Sequence, residues 1–105
     1  MKEITNYREF NQDEQAPSMR STINQETIVN KNVVLDYMKS FEENIVCPCR
    51  IRDEITGEII EKTLVYYTGG EFIWDEREIY HFECYNIKLE KTFIDKVLLQ
   101  KDKLF

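Results

Sequence analysis

Leu64-Val65-Tyr66-Tyr67-Thr68-Gly69-Gly70-Glu71-Phe72-Ile73-Trp74-Asp75-Glu76-Arg77-Glu78-Ile79-Tyr80-His81-Phe82-Glu83-Cys84-Tyr85-Asn86 is the stretch whose reading decides the fold. Within it the apolar pattern changes from the repeat of a strand to the repeat of a helix. The strand that leads into it, from Glu58 to Tyr67, carries Ile60, Leu64 and Tyr66 on one face and Ile59, Val65 and Tyr67 on the other. That is the composition of a central strand covered on both sides. Thr68-Gly69-Gly70 turns the chain, and Glu71 to Trp74 returns as a short strand. Asp75-Glu76-Arg77-Glu78 then has the spacing of a capping box, in which Asp75 accepts free backbone amides and Glu78 reaches back to the Asp75 amide. A helix starts there, with Ile79, Phe82 and Asn86 on one stripe, Tyr80 and Cys84 beside it, and Asn86 suited to a left-handed terminator.

Upstream, the odd positions Ile45, Cys47, Cys49 and Ile51 alternate with Arg50 and Arg52, which predicts a half-buried strand, and Pro48 removes a ladder donor and so places that strand at a sheet edge. Asp53-Glu54-Ile55-Thr56-Gly57 closes the hairpin, with Gly57 supplying the positive φ of a short loop. Before it, Val33, Val34, Tyr37, Met38 and Phe41 share one helical face, giving a helix from about Lys31 to Glu43 capped by Asn30 or Asn32. Downstream, Phe93, Ile94, Val97 and Leu98 form the apolar face of a last helix from about Glu90 to Gln100. The expected fold class is therefore α+β: a three-stranded antiparallel β-meander with one helix before it and two short helices after it, packed on one face of the sheet. Residues 1–26 hold only seven apolar positions and read as a polar N-terminal arm, within which Ile4, Tyr7 and Phe10 are spaced to dock one helical turn. Residues 27–105 are expected to form the single domain, since a chain of 105 residues is too short for a second core.

Composition bounds the function. With 42% apolar and 32% charged residues the chain is globular in type. Its apolar runs are far shorter than a bilayer span, and its first residues are too polar and acidic for a signal peptide, so a cytoplasmic protein is expected with no membrane role. The net charge of −6 is uneven: residues 53–83 hold nine acids against two bases, whereas residues 84–105 hold three against five. Binding directly to nucleic acid needs clustered Lys and Arg, which this distribution lacks; a basic protein partner fits it better. Cys47, Cys49 and Cys84 are an odd number of cysteines without an export signal, which argues for free thiols.

Four side chains carry the one metal hypothesis. Cys47, Cys49, His81 and Cys84 are a complete ligand set for zinc, but Cys47-x-Cys49 has one intervening residue where structural knuckles have two to four. Burial as small hydrophobes explains the first pair without a metal. A small enzyme using Cys84 or His81 is a further reading, for which a cysteine nucleophile needs a base and a group to orient it. The pairs Asp53/Glu54 and Glu76/Glu78 are explained by loop solvation and helix capping, and the three glycines by turns, which leaves no phosphate loop and no catalytic constellation. No cofactor is expected. Seven of the thirteen aromatics fall between Tyr66 and Tyr85, among acidic groups. Aromatics beside charge suit protein recognition, so the expected partner-binding residues are Tyr66, Tyr67, Glu71, Asp75, Glu76, Glu78 and Tyr80.

The run Val65 to Trp74, then Ile79-Tyr80-His81-Phe82 with Tyr85-Asn86, then Phe93-Ile94, resembles a strand-turn-strand-helix-helix pattern of small bacterial and phage proteins that have no assigned activity. In those the turn more often reads Thr-Asp-Gly, where this chain has Thr68-Gly69-Gly70. The resemblance implies a bacterial or phage origin and transfers no activity. The expectation from the residues themselves is a small, acidic, non-enzymatic binding protein of the immunity, inhibitor or antitoxin kind.

Overall fold

The structure, a computed structural model, describes residues 2–12, 14–21, 31–41, 45–69 and 71–104. The chain is α+β. Its described elements are β1 (Lys2–Glu3), α1 (Arg8–Asn11), a 3-10 turn (Met19–Ser21), α2 (Lys31–Lys39), β2 (Ile45–Arg52), β3 (Ile59–Gly69), β4 (Phe72–Asp75), α3 (Glu76–Tyr85) and α4 (Lys91–Leu104). The antiparallel run β2-β3-β4 is present, but the sheet is mixed and four-stranded, in the order β1-β4-β3-β2. The three-stranded expectation is corrected by β1, which lies parallel to β4 with Lys2 opposite Phe72 and Glu3 opposite Ile73. Two residues are too few to show a period, so no pattern in the sequence announces this strand.

The local signals behave as their chemistry requires. Asp75 accepts from the Arg77 amide while Glu78 accepts from the Asp75 amide, the two halves of the capping box. Asn86 ends α3 at φ 53° and ψ 44°, its amide donating to Phe82 O. Gly57 takes φ 82° in the β2–β3 loop. Pro48 sits on β2, an edge strand. Helix α2 stops at Lys39, sooner than expected, and Ser40 turns back through its amide to Tyr37 O. Residues 42–43 of the expected helix, the cap Asn30, Gly70 and the expected domain boundary at residues 26–27 lie outside the described residues.

Two strand expectations change. In β2 only Ile51 is buried; Ile45 is 55% exposed and Cys49 is exposed. The cause is the register, which slips between Cys47 and Arg50 and again between Arg50 and Arg52, so strict alternation is lost. Strand β3 is central but not covered on both sides: Val65, Tyr67 and Gly69 are buried, Leu64, Tyr66 and Thr68 on the other face are half-buried, and Ile59 projects into solvent. Helix α3 packs against β3 and β4 and reaches β2.

The core forms where α2 and α4 meet β3 and β4. Trp74 packs its ring on Phe41 and Phe93 and donates its indole N–H to Met38 O at 3.1 Å. The segment read as an arm is part of this core. Ile4, Tyr7, Phe10 and Met19 are all buried. Glu90 N–H donates to Ile4 O at 2.8 Å, and the Tyr7 hydroxyl donates to Lys88 O, so the segment is tied to the α3–α4 connection. No described helix is long and apolar enough to cross a membrane.

Candidate functional site

Two polar clusters flank α3. The first is centred on Asp53, at the mouth of the β2–β3 hairpin. Far from being solvated by a loop, Asp53 is 2% exposed. Its Oδ1 accepts from the amides of Ile55 and Thr56 at 2.8 and 2.9 Å, a local turn that the sequence position allows. Its Oδ2 accepts from the hydroxyls of Tyr80 and Tyr85 at 2.7 and 2.5 Å, which α3 delivers from far along the chain. Burial opposes the charged carboxylate, but these four donors outweigh it and hold the group far below the usual carboxylate range. The same bonds raise the phenols; Tyr85 is pushed up to about 12, first by Asp53 and then by burial.

His81 lies beside this cluster, fully buried against the edge of the Phe10 ring. Its Nδ1 faces Arg77 O at 2.7 Å, and the Glu54 amide donates to its Nε2 at 2.9 Å. A carbonyl oxygen only accepts, so Nδ1 carries the proton and the ring is neutral. Burial is the largest influence on it and lowers its pKa. Both nitrogens are in use, which leaves no lone pair for a metal. Cys47 is half-buried, and Cys49 and Cys84 are exposed free thiols. The four residues of the zinc reading are thus not brought together, and among the described residues no group of three or more His, Cys, Asp or Glu is placed to hold a metal.

The second cluster lines a cleft of about 200 Å³ between the N-terminal segment and the start of α3. Glu3, Thr5, Phe10 and Asn11 form one wall; Tyr66, Ile73, Trp74, Asp75, Arg77 and Glu78 form the other. Arg77 lays its fork on Asp75, with Nε 3.2 Å from Oδ1 and Nη2 2.9 Å from Oδ2, gives Nη1 to Phe10 O, and covers the Phe10 ring. Glu78 is 6% exposed; its Oε2 accepts from the Thr5 hydroxyl at 2.7 Å and its Oε1 from the Asp75 amide at 3.2 Å. Burial first, then the neighbouring Asp75 charge, push the Glu78 carboxyl well above its ordinary value. Among the described residues no hydrogen bond engages the half-buried Tyr66 hydroxyl.

Of the seven expected partner-binding residues, Tyr66, Asp75 and Glu78 meet at this cleft, although Asp75 and Glu78 are buried where an exterior surface was expected. Tyr67 is buried as well, and its hydroxyl donates to Glu76. Tyr80 turns its hydroxyl inward to Asp53, and Glu71 is exposed but bridges Lys2 and Lys96. Packing beats solvation for these groups because each polar end finds an internal partner. Glu3, Thr5, Phe10, Asn11 and Arg77 were not anticipated; the spacing of Ile4, Tyr7 and Phe10 was the signal that the segment docks. The chain matches no family model, no curated protein and no solved structure.

Proposed function

We propose that this protein is a non-enzymatic binding protein of the immunity, inhibitor or antitoxin kind, and that it recognises a basic protein partner by taking one of its cationic side chains into the cleft lined by Glu3, Tyr66 and Glu78. The observation that carries the reading is the composition of that cleft. Three carboxyl groups, Glu3, Asp75 and Glu78, line it against one guanidinium, and the guanidinium is already committed to Asp75. A phenol and the ring of Phe10 supply the apolar contact that a long basic side chain needs.

The reading narrows the recognition surface. Of the nine acids between residues 53 and 83, Asp53, Asp75 and Glu78 are inside the fold. Glu61, Glu71 and Glu83 already hold Arg50, Lys2 with Lys96, and Lys39 respectively. The excess of nine acids over two bases in residues 53–83 is therefore partly offset by bases from elsewhere in the chain, and selectivity rests on the cleft. Capture from an extract of the source organism at low salt tests this, with the natural protein run beside a Glu3→Lys, Tyr66→Ala double variant. A basic protein retained by the first and lost with the second is the expected result. Equal retention by both, or no basic protein in either, overturns it.

A further inference from the structure

Glu78 has hydrogen bonds but no ion pair among the described residues. Both of its donors, the Thr5 hydroxyl and the Asp75 amide, are neutral. The charged or titratable groups that share its cleft are Glu3 from β1, Tyr66 from β3, Asp75 from β4 and Arg77 from α3. Arg77 alone is cationic; three of its five N–H groups go to Asp75 and Phe10 O, none of the bonds reaches Glu78, and its charge favours an ionised Glu78 only from a distance. Burial and the adjacent Asp75 charge outweigh that pull, so the buried carboxyl, with no directly bonded cation, holds its proton more tightly than an ordinary glutamate. Yet it is not walled off: it lines the cleft that Tyr66 also lines, and the Tyr66 hydroxyl has no hydrogen bond among the described residues.

We infer that the cleft is a cation–proton exchange site, in which a guanidinium or ammonium group enters, Glu78 releases its carboxyl proton to solvent, and the carboxylate so formed holds the cation together with the phenol oxygen of Tyr66. One positive charge arrives as one leaves, so the buried region never carries an unpaired charge. The inference rests on the proposed cationic ligand and adds what controls its uptake. A site that must give up one proton loses affinity about tenfold for each pH unit below the point where that proton leaves freely.

The test uses N-acetyl-L-arginine methylamide as probe, titrated into the full chain from pH 5 to pH 8 and followed by NMR at Glu78, Tyr66 and Thr5. Calorimetry in two buffers of different ionisation enthalpy counts the protons. Expected are affinity that rises with pH and the release of about one proton per probe bound. Glu78→Gln keeps one acceptor oxygen for the Asp75 amide and turns its NH2 to donate to the Thr5 hydroxyl oxygen, and in it the pH slope disappears; Tyr66→Phe weakens binding at every pH and leaves the slope. Binding at the cleft without pH dependence or proton release overturns the exchange and leaves the cationic ligand standing. A slope that survives Glu78→Gln also overturns it. No perturbation of the cleft at any pH ends both ideas, whereas proton-linked probe binding with no basic partner captured from the extract ends the partner reading alone.

Discussion

Asp53 shows how much one side chain can organise. Four donors from two elements converge on it, and an ionised acceptor strengthens each bond. Asp53→Ala should cost about 2 kcal/mol in chemical denaturation, because it removes four bonds to a buried charged acceptor and leaves the half-buried Tyr80 and Tyr85 hydroxyls without that partner. The sign of its pH dependence follows from a native pKa far below the unfolded 3.8. The contribution is complete above that value and is lost as the pH falls below it. His81 acts in the same direction at a higher pH, since its native pKa is depressed from 6.5 and the unfolded chain takes the proton first. Stability should therefore fall as the pH drops below about 6.5. Proton and nitrogen NMR of this one histidine checks the cause: a ring protonated at Nδ1 at pH 7 and titrating below 6.5 is expected, and an Nε2-protonated ring or a midpoint above 6.5 refutes the assignment. Neither residue's role was legible locally. Asp53 and the Tyr80 and Tyr85 hydroxyls are 27 and 32 positions apart, and no periodicity reports such a meeting.

At the scale of elements, two glycines separate backbone from packing. Gly57 has φ +82° and nothing within 4 Å of where a Cβ would stand, so Gly57→Ala should lose about 1 kcal/mol through backbone strain alone. Gly69 lies in β3 with an ordinary φ, but a Cβ there would meet Trp74 Cη2 at 2.6 Å and Phe41 Cζ at 2.9 Å. Gly69→Ala must displace the central ring of the core and should cost about 1–3 kcal/mol. Thermal melts of the two variants, with near-ultraviolet circular dichroism of Trp74, distinguish the cases: a disturbed tryptophan signal is expected for the second variant only. The capping box and the Asn86 terminator were readable because their atoms lie within one helical turn of each other. The exposure of β2 was not, because the slips in its register depend on how it pairs with β3.

For the whole molecule, the N-terminal segment decides integrity. It adds β1 to the sheet, places Ile4, Phe10 and Met19 in the core, and reaches the β2–β3 loop through Arg20, whose Nη2 donates to Ile55 O at 2.7 Å. A chain truncated to begin at Lys31 should therefore lose cooperative unfolding, and hydrogen exchange should show β4 and α3 unprotected. A truncated chain that melts as sharply as the full one would return these residues to the status of an arm. The polar composition of residues 1–26 concealed this, since a few large apolar side chains anchor a segment whatever lies between them. By itself the sequence determined the α+β class, the position of the antiparallel strands, the start and end of α3, the loop at Gly57 and the edge position of β2. Each of these follows from side-chain period or from chemistry between neighbours a few positions apart. Tertiary structure alone decided that Lys2–Glu3 would join β4, that Asp53 and His81 would be buried and satisfied, and that Thr5 would meet Glu78 across 73 positions to build one side of the cleft. Those contacts are selected by the shape and polarity of the assembled core, a property that no short window of the chain contains.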